Sequence, residues 1–325
     1  MLKKYLLVFI LTFFYPFELF ASVDVYISPA GSDKYSGVSV EFPVKTFKHA
    51  IDLVKKVNSD QDVEIKFMPG NYGRVMLDLA WFPDGIRRIV LRGNSMGGRA
   101  VFDGGGGGDT WLVVRGFKGG VTKVVVKGFH IKNYRGAIAF YGDRFDADSW
   151  SSSNRIENNI FENIGQFKEA VRPAFGAITL SNSVENIIVR NRFFNIRNIV
   201  GCDGLHAIYL SGGSSRNRIV ENIFDGGCGD VIKVRDRSND NMVKHNEFLN
   251  QTGKSIFVDS FCDARKNKEC ENKKQECASW GNKIIGNRID KLTSEKIIAE
   301  FRIVGASVID VCPVGEQKDR VITNE

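Results

Sequence analysis

A short internal repeat constrains the fold of this chain more than any other feature of its sequence. The pattern Asn-x-[Ile/Val]-x-x-Asn-x-[Phe/Ile] begins at five positions: Asn154, Asn186, Asn217, Asn241 and Asn282. Successive copies are 32, 31, 24 and 41 residues apart. A repeat at variable intervals indicates similar structural turns that are separated by loops of different length.

A second aligned segment precedes each copy of the repeat. Its second and fourth residues are always apolar, and the segments begin at Ala137, Ala177, Ala207, Val231 and Ser255. A period of two residues predicts strands with one buried face, and such strands need neighbours to cover that face. Parallel stacking would give one core column of Ile138, Ile178, Ile208, Ile232 and Ile256. The predicted fold class is all-β, a single-stranded right-handed parallel β-helix with an N-terminal capping helix.

The second asparagine of each repeat is expected to occupy a turn. These residues are Asn159, Asn191, Asn222, Asn246 and Asn287. Asparagine tolerates left-handed backbone angles, and its amide can bond the backbone of a neighbouring coil. We therefore favour a structural ladder over the alternative role, which is sugar binding.

The first residues have the features of a secretory signal peptide. Lys3 and Lys4 precede an apolar run, and Ala21 precedes a polar segment. We expect residues 1–21 to be removed and the protein to be secreted or periplasmic. The rest of the chain has no apolar segment long enough to suggest membrane insertion.

Residues 22–325 are expected to form a single β-helix domain. Its repeats are clearest over residues 121–290, and a Cys- and Lys-rich insertion covers residues 260–279. Six cysteines in an exported chain permit disulfides. Repeat alignment makes Cys202–Cys228 the favoured pair.

The net charge favours an acidic partner. The chain has 45 basic and 38 acidic side chains, a formal charge of +7. In a secreted protein this favours an acidic polysaccharide over nucleic acid. We expect a monomer.

Two segments near the start of the mature chain carry a family resemblance. The segment VDVYISPAGSDKYSGVSVEFPVKTFKHAIDLV and the later KFMPGNYG resemble the opening of bacterial secreted proteins of the pectate lyase-like superfamily, which includes alginate and chondroitin lyases. The resemblance implies a β-helix whose open end is closed by a helix over Phe47 to Val57. It also implies an enzyme that degrades polysaccharide.

Stacking predicts columns of outward-facing side chains. One column contains Ala139, Thr179, Tyr209, Lys233 and Phe257, and its neighbour contains Tyr141, Ser181, Ser211, Arg235 and Asp259. Since adjacent strands lie about 4.8 Å apart, the sequence predicts a sugar-binding patch that contains Tyr209, Lys233, Arg235 and Asp259. His206 and Asp230 align just before the strands, with their direction left open.

This cluster suits β-elimination on a uronic acid, which needs a cation, a base and an acid. Arg235 is the predicted partner of the sugar carboxylate and Lys233 the predicted base. Tyr209 or His206 would be the acid, or would exchange roles with Lys233, and Asp230 is a further catalytic candidate. The predicted substrate-binding residues are Asp203, Asp259, Tyr141 and Arg172.

No cofactor is required by this scheme, but some similar lyases use calcium. Asp203, Asp230, Asp236 and Asp259 are the candidate Ca²⁺ ligands.

Three alternatives remain open from the sequence. The first is a glycoside hydrolase of the polygalacturonase type, with Asp230 paired to Asp203 or Asp259. The second is a uronate epimerase, which shares the first proton abstraction. The third is a non-catalytic carbohydrate-binding or surface protein.

Overall fold

The computed structural model describes residues 22–56, 61–79, 86–95, 97–116, 123–253, 255–261, 276–291, 293, 299–304 and 321–323. At residues 94, 95, 203, 299–304 and 321–323 it describes the backbone alone. The predicted signal peptide, most of the predicted insertion, and Cys262, Cys270 and Cys312 lie outside these residues. Among the described helices, none has the length and apolar character that a membrane span requires.

The described elements are almost entirely short strands. The first twelve are β1 Ser22–Ile27, β2 Asp62–Phe67, β3 Gly70–Asn71, β4 Leu77–Asp78, β5 Arg88–Arg92, β6 Asn94–Ser95, β7 Gly98–Arg115, β8 Lys123–Lys127, β9 His130–Tyr141, β10 Arg155–Glu157, β11 Ile160–Glu162 and β12 Gly176–Ser181. The others are β13 Ile187–Val189, β14 Arg192–Ile196, β15 His206–Ser211, β16 Arg218–Val220, β17 Ile223–Gly227, β18 Ile232–Arg235, β19 Met242–Lys244, β20 Glu247–Leu249, β21 Ser255–Ser260, β22 Asn282–Ile285, β23 Arg288–Ile289, β24 Ala299–Val304 and β25 Val321–Thr323. One α-helix, α1 Phe47–Val54, and two 3₁₀ turns, Ala147–Ser149 and Cys202–Gly204, complete them.

The strands stack in parallel rows. One sheet runs β1-β2-β5-β8-β10-β13-β16-β19-β22-β25, and the other runs β23-β20-β17-β14-β11-β9-β12-β15-β18-β21-β24, with β3, β4, β6 and β7 beside it. From β12 onward each coil contributes three strands, as in β12, β13 and β14 and then β15, β16 and β17. Neighbouring coils pair in register, for example Ile178 with Ile208. The predicted all-β parallel β-helix is confirmed.

Side chains of successive coils stack inside the helix. Ile138, Ile178, Ile208 and Ile232 form the predicted isoleucine column, each at most 1% exposed. A parallel column contains the last residue of four repeats, whose rings stack with centroids 4.9, 4.7 and 5.0 Å apart: Phe161, Phe193, Phe224 and Phe248. Burying each ring contributes roughly 1.5–3 kcal/mol, so the columns account for the apolar periodicity of the repeat.

The predicted register is wrong at β21. Phe257, rather than Ile256, lies opposite Ile232. Ile232 is the eighth residue after Phe224, whereas Phe257 is the ninth residue after Phe248. Because strand side chains alternate between faces, one extra residue exchanges the inner and outer sets.

The shift in register changes which residues extend the two outer columns. Val258 lies beside Lys233, and Ser260 lies beside Arg235. Asp259 lies opposite the core residue Val234 and is fully buried. Asp259 is therefore not part of the predicted outer patch.

Two asparagine ladders connect the coils. The predicted ladder of second asparagines is present: the backbone N–H and the side-chain Nδ2 of Asn191 both donate to Oδ1 of Asn222, at 2.9 and 3.0 Å. The first asparagines form an equivalent ladder that the sequence analysis did not anticipate, as in Asn186 to Asn217 at 2.9 and 2.7 Å. The asparagines of both ladders are buried, except for Asn287 in the last repeat, which is partly buried.

The predicted left-handed backbone belongs to a different residue. The residue before each second asparagine has the positive φ, with values from 53 to 60°: Asn158, Arg190, Glu221, His245 and Gly286. The preceding residue thus makes the turn, and the buried asparagine amide satisfies backbone groups of neighbouring coils.

The helix near the start of the mature chain is three residues shorter than predicted. Thr46 caps it by accepting a hydrogen bond from the backbone N–H of His49 at 3.2 Å. Ala50, Ile51 and Val54 are buried and belong to the same apolar core as the strands. That this helix closes the end of the core stays a prediction.

We expect Asn222→Ala to lower the free energy of unfolding by about 3 kcal/mol, because it leaves buried donors of Asn191 without their acceptor. Chemical denaturation measures the loss. The exposed Arg218→Ala on the same coil is the control and should change it by less than about 0.5 kcal/mol. Equal effects of the two variants would contradict the structural role of the ladder.

Candidate functional site

The predicted column of Tyr209 and Lys233 is formed on the outer face of neighbouring coils. Ala139 pairs with Thr179, Thr179 with Tyr209, and Tyr209 with Lys233. The residues between them point into the isoleucine column, so alternation places this set on the outer face. The pairing of β15 with β18 therefore places Tyr209 and Lys233 side by side on the outer face.

A groove of about 200 Å³ runs over this face from β9 to β15. Its polar lining includes Thr110, Thr179, Ser181 and Ser211; its aromatic lining is Tyr141, Phe175 and Tyr209. Among its lining residues, all of them described, Arg135 alone is charged. Ligand pockets usually enclose about 300–1,000 Å³, so this open groove suits a short part of a long polymer.

Gly176 leaves room for the side chains of Thr179 and Tyr209 at the base of this groove. A β-carbon there would lie 2.8 Å from Oγ1 of Thr179 and 3.0 Å from the β-carbon of Tyr209. A larger residue would therefore displace Tyr209, and this requirement explains a glycine at the start of β12.

Tyr209, Arg235 and Glu276 form one connected polar group. Nε of Arg235 donates to Oε2 of Glu276 at 2.6 Å, and the Arg235 side chain also hydrogen-bonds the phenol of Tyr209. The side chains of Arg235 and Glu276 are 24% and 11% exposed. The three groups therefore interact in a partly desolvated environment, where charge–charge effects are stronger than in water.

This environment keeps Tyr209 protonated. Burial raises the pKa of the Tyr209 phenol above its usual value; Arg235 opposes this shift, and Glu276 adds to it. Burial acts to lower the pKa of Arg235, but its hydrogen bond to Glu276 and its interaction with Tyr209 outweigh burial, and the net shift is upward. At neutral pH the site therefore presents a neutral phenol beside the guanidinium of Arg235.

Lys233 lies opposite Tyr209 on the adjacent strand β18. Its Nζ is 5.7 Å from the centroid of the Tyr209 ring, within the range of a cation–π interaction. The side chain is half-buried at the centre of β18. Lys233 and Arg235 point outward from the same strand, two residues apart.

His206 and Asp230 lie beneath this group and do not line the groove. They are 3% and 5% exposed, and Nδ1 of His206 is 2.6 Å from the backbone oxygen of Asp230. Oγ of Ser255 donates to Oδ1 of Asp230 at 2.7 Å. The His206 ring lies 5.9 Å from the Tyr209 ring, and Asp230 contacts His206 through its backbone oxygen. Their predicted catalytic role stays a prediction.

A disulfide joins Cys202 to Cys228, with α-carbons 5.6 Å apart, as repeat alignment predicts. It links the segments that lead into β15 and β18, the two strands that carry Tyr209 and Lys233. Cys277, directly after Glu276, is also disulfide-bonded. Covalent links therefore restrain both the Tyr209–Lys233 pair and the segment that holds Arg235.

The remaining predicted binding residues lie in different places. Tyr141 lines the groove. Arg172 is exposed beside it, and its backbone oxygen accepts a hydrogen bond from Nε of Arg135 at 3.0 Å. Asp259 is inside the core, and the side chain of Asp203 lies outside the described residues.

The described residues do not assemble the predicted calcium set. They contain no cluster of three or more acidic, histidine or cysteine side chains that could hold a metal ion. Asp236 is buried, bonded by Arg144 at 2.9 Å and by the backbone N–H of Cys277 at 3.2 Å. Asp230 and Asp259 are buried in separate contacts, so their carboxylates do not converge.

Three residues of this surface were missed by sequence reasoning. Arg135 and Phe175 sit just before two of the aligned strands, so extending the repeat alignment upstream could have found them. Glu276 lies at the end of the Cys- and Lys-rich insertion. No periodicity relates that insertion to Arg235, and the sequence offers no signal for their contact.

Comparison with known proteins gives low similarity throughout. A rhamnogalacturonan lyase shares 14% identity with a TM-score of 0.39, over 92% of this chain and 66% of its own. The pectate lyase Pel9A shares 14% identity with a TM-score of 0.45, over 90% and 78% of the two chains. The DFA-IIIase of Arthrobacter chlorophenolicus A6 shares 12% identity with a TM-score of 0.39, over 86% and 92%.

The strand pairing of the chain itself establishes the parallel β-helix fold. No protein-family model and no curated protein matches the sequence.

We expect Glu276→Gln to lower the pKa of Tyr209. Glutamine can still accept from Arg235, but the guanidinium then loses its counter-charge and favours the phenolate. The difference in ultraviolet titration between proteins with and without Tyr209→Phe isolates this phenol. Glu185→Gln, in an exposed ion pair with Arg216, is the control and should leave the titration unchanged. An unchanged or raised pKa in Glu276→Gln would contradict the proposed coupling.

Proposed function

We propose that this protein is an extracytoplasmic enzyme that degrades an acidic polysaccharide, acting as a lyase by β-elimination at a uronic acid. The observation that carries the proposal is the grouping of Tyr209, which lines the groove, with Lys233 and Arg235, which extend from the adjacent strand β18. Among the described residues that line the groove, Arg135 is the one with a charged side chain. The Cys202–Cys228 disulfide supports an oxidising compartment, either secreted or periplasmic.

The three side chains supply the groups that β-elimination requires. Lys233 abstracts the proton next to the sugar carboxylate, and the electron pair forms the new double bond as the glycosidic oxygen leaves. Tyr209 gives its proton to that oxygen, and its raised pKa ensures that the phenol carries this proton at neutral pH. A guanidinium has five donors, so Arg235 retains N–H groups beyond those used by Glu276 and Tyr209. These bind the carboxylate and stabilise the charge that develops on it.

The groove favours a lyase over a glycoside hydrolase. An inverting hydrolase needs two carboxyl groups about 6.5–9.5 Å apart across the substrate, and a retaining one needs them about 5–5.5 Å apart. No carboxylate is among the described lining residues. Asp230 is bonded to Ser255 below the surface, and Asp259 faces the core. Of the acids that a hydrolase would use, Asp230 and Asp259 are therefore not at the groove, and the side chain of Asp203 lies outside the described residues.

A panel of acidic polysaccharides tests the reaction class. A lyase produces an unsaturated uronate, which absorbs in the ultraviolet, together with new chain ends. New reducing ends without that absorbance would indicate a hydrolase. A change in uronate stereochemistry without chain cleavage would indicate an epimerase. Binding without any product would indicate a carbohydrate-binding protein. Each of these three results would overturn the lyase assignment.

On a cleaved substrate, we expect Lys233→Ala and Tyr209→Phe each to lower kcat by about 10²–10⁴-fold, because each removes a proton-transfer group. Initial rates of ultraviolet absorbance increase measure this loss. Lys283→Ala, exposed on β22, is the matched control and should retain full activity. Full activity in either site variant would show that the chemistry lies elsewhere.

A further inference from the structure

A second cationic position lies in the groove away from Tyr209. Nε of Arg135 donates to the backbone oxygen of Arg172 at 3.0 Å, and its Nη2 donates to that of Pro173 at 3.2 Å. Two hydrogen bonds from one planar group fix its orientation, which a flexible surface arginine lacks. The guanidinium is therefore pre-organised at the edge of the groove.

The charge of Arg135 is not neutralised by these contacts. Both acceptors are neutral carbonyls, and no described acidic side chain forms an ion pair with it. Arg235, in contrast, is bonded to Glu276 at 2.6 Å. Three of the five donors of Arg135 remain for a ligand, and an anion is the ligand that they bind most strongly.

Aromatic surface lies on the same part of the groove. Phe175 is 64% exposed, and Tyr141 is half-buried; both line the groove with Arg135. The exposed ring of Phe175 thus offers an apolar surface beside the guanidinium of Arg135. An apolar ring beside a fixed cation matches a sugar unit that presents C–H groups on one face and an acidic group at its edge.

We infer that Arg135, Phe175 and Tyr141 form a binding site for the acidic group of a sugar unit that is not the one being cleaved. Arg135 lies on β9, and Tyr209 lies on β15, two coils further along. Two steps of about 4.8 Å place the strands about 10 Å apart. The inference rests on the proposed function and extends it: the substrate carries charged units at successive positions, as a polyuronate does.

Calorimetric binding to Arg135→Gln tests this site, in a Lys233→Ala background that prevents turnover. The probes are tetrasaccharides of galacturonate, of mannuronate and of glucuronate, each compared with its methyl ester. A sulfated disaccharide separates sulfate from carboxylate as the anion. Arg218→Gln is the matched control, because it removes an exposed arginine on β16, in the other sheet and away from the groove.

We expect Arg135→Gln to weaken binding of the best acidic tetrasaccharide by about tenfold or more, since it removes charge-assisted hydrogen bonds. Its affinity for the methyl ester should be unchanged, and Arg218→Gln should bind like its parent. Equal losses for acid and ester, no loss, or no binding of any acidic probe would overturn the site. Stronger Arg135-dependent binding of the sulfated probe would overturn the carboxylate assignment.

This binding experiment, together with the polysaccharide panel on the protein that retains Lys233, separates the two proposals. Arg135-dependent binding by a protein that never forms unsaturated product would retain the site and reject the lyase. Unsaturated product from a protein whose Arg135→Gln variant binds normally would retain the lyase and reject the site.

Discussion

The buried hydrogen bond between equivalent asparagines is the interaction on which the rest of this structure depends. Each carboxamide oxygen accepts from both the backbone and the side chain of the asparagine one coil earlier, at distances near 3 Å. A buried amide without such a partner would be costly, so a coil that slips in register loses both ladders at once. Ladders of this kind fix which residue of one coil lies beside which residue of the next. The outer columns, and with them the contact of Tyr209 with Lys233, inherit that register.

The candidate site combines this regular scaffold with one irregular segment. Tyr209, Lys233 and Arg235 come from adjacent coils, but the carboxylate that holds Arg235 comes from Glu276, at the end of the predicted insertion. The regular coils thus fix the spacing of the three side chains, and the irregular segment supplies Glu276, the ion-pair partner of Arg235. Because Arg235 touches both Glu276 and Tyr209, a change at Glu276 reaches the phenol without altering any strand.

The sequence was sufficient wherever periodicity carries the information. Strand alternation and the spacing of the asparagines gave the parallel coils, the isoleucine column, the Cys202–Cys228 pair and the Tyr209–Lys233 contact. It was insufficient where one residue or one loop decides the outcome. The extra residue before β21 has no local signature, and it carried Asp259 from the predicted patch into the core. The asparagine side chains were placed correctly, but the left-handed turn belongs to the residue before them, because a buried amide and a strained backbone are separate requirements.

That single extra residue also bears on how the surface chemistry of such a fold can change over time. Between Phe248 and Phe257, an in-frame deletion of one codon would restore the spacing of the preceding coil and exchange the two faces of β21. A carboxylate now enclosed at Asp259 would then emerge beside Arg235, while a phenylalanine would take an outer position next to Lys233. In a stacked fold, a change of length in a connecting turn can thus convert a cationic site into one that also carries an acid, without any substitution at the site itself.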